Sequence, residues 1–274
     1  MISVKEIKPS PSLRPYVECY SYGTYNTNAE PEASLQIVPN GCLELIIHLD
    51  DKHCQMMTSE HSWDMSPDYM LIGLLTRVYE VKFPHPVQVF TIRFRPEALY
   101  NLFGIQGVEM TDSYQDTNLL FGQVFKEFCH RIREEKNLNL LVQRTDKFLN
   151  NMLERSIANS DYILKAANIL RHSQIPNIKE LSGKVYISQR QLERRFKEVI
   201  GISPKKYLKI IRINRVMKLM EENVPMDLTS MAYHCGYYDQ SHFIKDFRQI
   251  THLNPSIFRK ERKDYIVLTS RKSS

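Results

Sequence analysis

The sequence predicts an α+β chain: a β-rich N-terminal domain, a helical connector and an all-α C-terminal domain. Three observations predict it. Short β-rich runs between turn residues fill the chain to about Asp112, the apolar period becomes helical from about Thr117, and one helix-loop pattern occurs twice near the end.

In the first region Leu43–Leu49, Met70–Leu75 and Val87–Phe94 read as strands. Pro39-Asn40-Gly41, Asp50-Asp51, Ser66-Pro67-Asp68 and Pro84-His85-Pro86 punctuate them. Alternation places Val87, Val89, Thr91 and Arg93 on one face and Gln88, Phe90, Ile92 and Phe94 on the other. Both faces carry apolar residues, as in a small barrel or sandwich. Pro96 then opens a short helix that stops at Gly104.

In the connector, Leu120, Val124, Phe128 and Ile132 follow a spacing of four, and Leu141, Phe148, Met152 and Ile157 continue in a second helix. These helices cover the sheet or build a dimerisation surface. Ser160-Asp161 then caps a third helix with Ile163, Ala167 and Leu170 on one face.

The duplication decides the C-terminal architecture. Leu192, Phe196, Gly201, Pro204 and Tyr207 recur as Phe243, Phe247, His252, Pro255 and Phe258, at a constant offset of 51. Each copy reads as helix, turn, helix, stop and a Pro-led restart, which is the pattern of a helix-turn-helix. In the first copy Asn177 and Glu180 form a capping pair, Ser188 caps the second helix and Gly201 ends it. Leu192, Phe196 and Val199 face inward, so Gln189, Arg190, Glu193, Arg194 and Lys197 face solvent. In the second copy Asp227 and Asp239 are the caps, Gly236 ends the leading helix, and Gln240, Ser241, Ile244, Lys245 and Arg248 face out. Between the copies, Ser203 and Pro204 start a helix through Glu222 with an apolar stripe of Ile210, Ile213, Met217 and Met220. Such a helix spans about 28 Å, close to the roughly 34 Å of one duplex turn.

Charge separates the two halves. From Asp161 onward there are 22 Lys+Arg against 11 Asp+Glu, leaving 15 against 20 before that point. A segment of formal +11 joined to one of −5 suggests that only the former meets a polyanion. The outward sets contain the side chains that read base edges: Arg for guanine, Gln for adenine, Glu for cytosine. Gln189, Arg190, Glu193, Arg194, Gln240, Ser241, Ile244 and Lys245 are therefore the candidate base readers. Ser188, Lys197, Lys205, Lys206 and Arg248 are the candidate phosphate contacts, with Lys209, Arg212 and Arg215 also placed beside the backbone. No apolar run suits a membrane span and no signal-peptide core follows Met1, so a cytoplasmic protein is expected.

These residues carry a family resemblance. Gly236-Tyr237-Tyr238-Asp239-Gln240-Ser241-His242-Phe243, Phe247-Arg248 and Pro255-Ser256-Ile257-Phe258-Arg259 resemble the DNA-binding domain of AraC/XylS-type bacterial transcription regulators. Ser188-Gln189-Arg190-Gln191-Leu192, Arg195-Phe196-Lys197 and Gly201-Ile202-Ser203-Pro204 carry it in the first copy. Ser182 stands where the family usually has Ala. His252 stands where the second copy normally has Gly, at about 1 kcal/mol if that position is left-handed. The resemblance implies a sequence-specific regulator of activator type, with double-stranded DNA and RNA polymerase as partners. It also implies a cupin-like N-terminal barrel that binds a small-molecule effector and forms a homodimer. The domains expected are 1–113 (sensor), 114–159 (connector), 160–268 (DNA binding) and a tail, 269–274.

Trp63, Tyr79, His85 and Arg93 are weak candidates to line an effector pocket; the alternative packs Trp63 in a core and places Arg93 in a structural ion pair. Cys42, His48, His53, Cys54 and His61 lack metal-type spacing, so no metal and no cofactor is expected. The rival reading is a barrel enzyme acting on a small molecule with a helical scaffold, but no nucleophile–base pair or carboxylate dyad stands out.

Overall fold

A computed structural model describes residues 2–26, 34–58, 61–155, 161–173, 177–260 and 265–266. The runs rich in β-branched and aromatic residues form β1 (Ile2–Ile7), β2 (Val17–Tyr25), β3 (Leu35–Ile37), β4 (Leu43–His48), β5 (Gln55–Met57), β6 (Trp63–Met65), β7 (Tyr69–Ile72), β8 (Tyr79–Lys82) and β9 (Val87–Phe94). Helix α1 (Glu97–Phe103) follows Pro96 and closes on Gly104, whose φ of 71° suits a residue without Cβ. A short strand, β10 (Tyr114–Asp116), leads into α2 (Thr117–Leu120), α3 (Gln123–Glu134) and α4 (Leu138–Arg155).

Of the barrel or sandwich expected, the strands make two sheets that do not close on one another. One has the order β1-β2-β9-β4-β7-β10; the other has β3-β8-β5-β6, with β11 (Tyr265–Ile266) added in parallel to β3. Each sheet ends on edge strands that pair with nothing in the other sheet, so the structure is a sandwich. The alternation in β9 holds. Val87 and Val89 pack between the sheets with Met56, Met70 and Val81, while Phe90, Ile92 and Phe94 pack outward beneath the helices with Leu99, Phe128 and Leu149.

The connector differs from a single spacing-of-four helix. Gly122 separates α2 from α3, which resets the face. Val124 is therefore 66% exposed, and Phe125 and Cys129 are buried beside Phe128 and Ile132. Ile157 and Ser160 lie outside the described residues.

The C-terminal half is helical: α5 (Asp161–His172), α6 (Ile178–Lys184), α7 (Gln189–Ile200), α8 (Pro204–Glu221), α9 (Leu228–His234), α10 (Gln240–Thr251) and α11 (Pro255–Lys260). Its core takes Leu192, Phe196 and Val199 from α7 and their counterparts Phe243, Phe247 and Ile250 from α10. Helix α8 runs through the middle. Its stripe of Ile210, Ile213, Met217 and Met220 is buried, and so are Tyr207, Leu208, Ile211 and Val216, because helices pack on more than one side of it. Val38 and Leu74, from the β-rich domain, complete this same core.

Candidate nucleic-acid interface

Five local caps set the two helix pairs and the strut between them. The side chain of Asn177 accepts from the Glu180 amide at 2.9 Å, Asp227 from Ser230 at 2.7 Å and Asp239 from His242 at 2.7 Å. Ser203 accepts from Lys206 at 3.2 Å. Ser188 accepts from the Gln191 amide at 3.3 Å, while the Gln191 side chain accepts from the Ser188 amide at 3.2 Å, a reciprocal capping box. Hydrogen bonds from the Ser230 amide and side chain hold the exposed Asp227 carboxyl below the usual carboxylate range. Each cap starts a helix at a defined residue, and that fixes which side chains stand at its open end.

On α7, Gln189, Arg190, Glu193, Arg194 and Lys197 are all exposed, as the spacing predicts. Gln189 Nε2 donates to Glu193 Oε1 at 2.9 Å, so these two hold one another across a helical turn. Among the described residues Arg190, Arg194 and Lys197 make no ion pair. On α10, Gln240, Ser241, Lys245 and Arg248 are exposed. Ile244 is half-buried against the core rather than fully outward, and Arg248 Nε donates to Asn254 Oδ1.

Two exposed aromatics were missed. Tyr186 and Tyr238, 87% and 88% exposed, stand in the turns just ahead of the caps Ser188 and Asp239. The signal available was position: each aromatic stands one or two residues ahead of a helix cap, although its neighbour Tyr237 in the second turn is buried.

Not every basic residue near α8 faces outward. Lys206 Nζ donates to Thr76 Oγ1 of the β-rich domain at 2.9 Å, and that hydroxyl donates to Asp112 at 2.5 Å. Lys206 thus reaches across to the β-rich domain, and both it and Lys205 are exposed. Lys209 pairs with the buried Asp246 at 2.7 Å. Arg215 donates to the Leu170 and Arg171 carbonyls that end α5, and Arg212 lies over the Tyr237 ring at 5.6 Å. These three are used within the helical domain.

The β-rich domain grips α7 from behind. A Cβ on Gly107 would lie 2.4 Å from the Ile200 carbonyl carbon, and one on Gly201 would lie 2.6 Å from the Gly107 oxygen. Backbone therefore meets backbone at the C-terminal end of α7. The twelve-residue helix spans about 18 Å, which places Gln189 and Arg190 at its far, open end.

The four effector-pocket candidates do not converge. Arg93 is buried in ion pairs with Glu44 at 2.8 Å and Glu6 at 3.1 Å, the structural alternative. Trp63 sits on β6 beneath Lys82, the Tyr79 hydroxyl donates to the Asp112 carbonyl, and His85 is exposed in the turn before β9. Between the sheets lies a cavity of about 40 Å³ lined by Ile46, His48, Met56, Phe83 and Thr91, room for a few waters. Among the described residues no helix is long and apolar enough to cross a membrane.

Comparison with known proteins places both halves. A helix-turn-helix domain model matches residues 181–261, and a model for a domain of unknown function (DUF6597) matches residues 5–116. The chain is 32% identical over 85 residues to the HTH-type transcriptional regulator MtrA of Neisseria gonorrhoeae, covering 31% of this chain and 28% of that protein. It is 31% identical over 80 residues to the HTH-type transcriptional activator RhaS of Escherichia coli O157:H7, covering 29% and 28%. It thus spans under a third of the length of these curated relatives. Among solved structures, ToxT from Vibrio cholerae O395 aligns with a TM-score of 0.46 at 14% identity, over 95% of this chain and 96% of that one. Two capped helix pairs around a shared strut, matched in sequence by this model and these relatives, make the C-terminal region a member of the AraC/XylS-type helix-turn-helix family.

Proposed function

We propose that the whole chain is a sequence-specific, double-stranded-DNA-binding transcription regulator, acting in the cytoplasm as an activator. One observation carries the reading: both copies of the repeat expose the N-terminal half of their second helix, and α8 rigidly joins them. Arg190, Glu193 and Arg194 on α7, with Gln189, and Gln240, Ser241 and Lys245 on α10, read base edges; Ile244 offers only a partial apolar contact. Ser188, Lys197, Lys205, Lys206 and Arg248 fasten the duplex through phosphates, and Tyr186 and Tyr238 flank them.

The β-rich domain senses a small-molecule effector, and the connector helices support a homodimer. RNA polymerase is the downstream partner, in keeping with the activator named among the relatives. The cationic excess of the C-terminal half supports the DNA reading.

The test is to select binding sites from random duplex with the purified full chain. Two short blocks about one helical turn apart are expected, as is an affinity falling steeply with salt as about six to eight phosphates are contacted. A single contiguous block would restrict reading to one motif. No selected sequence at all would sink the proposal.

A further inference from the structure

The turn that ends the second helix of each repeat faces the β-rich domain in both copies, but the two contacts differ. In the first copy the turn is Gly201, φ 100°, pressed against Gly107 with no room for a side chain. In the second it is His252, φ 60°, left-handed yet carrying a full imidazole. That imidazole borders a cavity of about 340 Å³ between α10 and the second sheet. His61, two residues ahead of β6 and also left-handed at φ 61°, borders it too. Among the described residues Thr58, Arg77, Tyr79, Gln36 and Glu80 complete the polar lining, the Tyr79 hydroxyl being engaged with the Asp112 carbonyl.

The chemistry of this lining is specific. Arg77, His61, His252, Thr58 and Gln36 supply N–H and O–H donors, with a guanidinium whose fork suits an oxyanion. Among the described residues of the lining Glu80 is the one carboxylate, opposite Gln36 in the β3–β8 register. A carboxylate repels a fully ionised oxyanion but accepts a hydrogen bond from one that keeps a proton. Near neutral pH inorganic phosphate keeps such a P–OH in a large share of its molecules and a phosphomonoester in a minority, whereas sulfate keeps none.

We propose that this cavity is a binding site for a phosphate group, free or as a small phosphomonoester, and that its occupant bridges the second helix-turn-helix to the β-rich domain. The first motif is joined to that domain by direct backbone contact. The second is completed by a ligand. His252 is kept in a strained backbone conformation because its ring is part of the site.

The experiment is calorimetric titration of the full chain, without DNA, using inorganic phosphate, glycerol 3-phosphate and sulfate at matched ionic strength. Saturable binding of phosphate or the monoester, with sulfate at least about tenfold weaker, is expected. Whichever of the two binds more tightly identifies the source. His252→Gly places the first copy's residue at this turn, so it should fold at least as stably while losing at least about tenfold in phosphate affinity. Arg77→Gln should lose as much, and Glu80→Gln should bring sulfate level with phosphate. The proposal is overturned by no saturable heat from either phosphate compound, by equal binding of sulfate to the unaltered chain, or by unchanged affinity in His252→Gly.

Discussion

Arg171, in the last turn of α5, grips Glu97, in the first turn of α1, through both terminal guanidinium nitrogens, and the two residues come from different domains. Glu97 is fully buried, and Arg171 Nη1 also donates to the Tyr207 hydroxyl at 3.1 Å. Despite opposing desolvation, Tyr207 and Glu97 hold the Arg171 guanidinium above its ordinary range, so it stays charged. Arg171→Ala would leave a buried carboxylate unpaired and should cost about 3–5 kcal/mol in urea unfolding. The double replacement Arg171→Met, Glu97→Gln removes both charges and should recover most of that loss. A double variant no better than the single one would show that the pair is not what joins the domains here.

Two left-handed glycines should respond differently to the same substitution. At Gly104, φ 71°, a Cβ would meet nothing within 4 Å, so Gly104→Ala should cost only the backbone term, about 1–2 kcal/mol. At Gly201, φ 100°, a Cβ would also fall 2.3 Å from Thr111 Oγ1. Gly201→Ala should therefore be clearly worse, by at least about 1–3 kcal/mol more, because the domain contact must open. Thermal unfolding of the two variants side by side decides this, and equal melting temperatures would contradict it.

Arg194 and Lys197 lie on the same exposed face of α7, one turn apart along the helix. If Arg194 reads a base, Arg194→Ala should relax discrimination at one base pair by about 1–3 kcal/mol, whereas Lys197→Ala should weaken all sequences alike and lower the salt slope by about one. Competition binding with single-base variants of the selected site measures both. Uniform weakening by Arg194→Ala would move it to the phosphate contacts.

His48 predicts a pH dependence of stability. Burial pushes its imidazole down to about 4, helped by the nearby His53 and Arg133 and opposed by Asp68. Its Nε2 hydrogen-bonds Ser66 Oγ at 2.9 Å, and the side chain is inaccessible. The unfolded chain then binds this proton more readily than the folded one. The contribution is complete above about pH 6.5 and is lost as pH falls from there toward 4, by at most about 3 kcal/mol. Urea midpoints measured across that window should fall in the unaltered protein and fall less in His48→Gln. Parallel slopes would assign the loss to other groups.

The helical domain was legible because its signals are local. Asn177, Ser188, Ser203, Asp227 and Asp239 each cap a helix within three residues of themselves, and Gly201 and His252 end α7 and α10 by their own backbone conformation. The alternation of β9 was legible for the same reason. What joins the domains was not. Lys206 also meets Thr76, 130 residues away, a contact that no local spacing reveals. Arg93 offered two readings until the fold brought Glu44 and Glu6 beside it. The choice between barrel and sandwich stayed open in the sequence because strand spacing does not say whether the last strand returns to the first.

The parallel pairing of Tyr265 with Gln36 and of Ile266 with Ile37 has a consequence for synthesis. As the polypeptide leaves the ribosome, that flank of β3 must wait for the DNA-binding half to be translated before it acquires its neighbour. A fragment cut after α4 would never acquire it. Its open backbone edge would invite association with other copies, so aggregation of such a fragment would report a missing strand rather than an unstable sandwich.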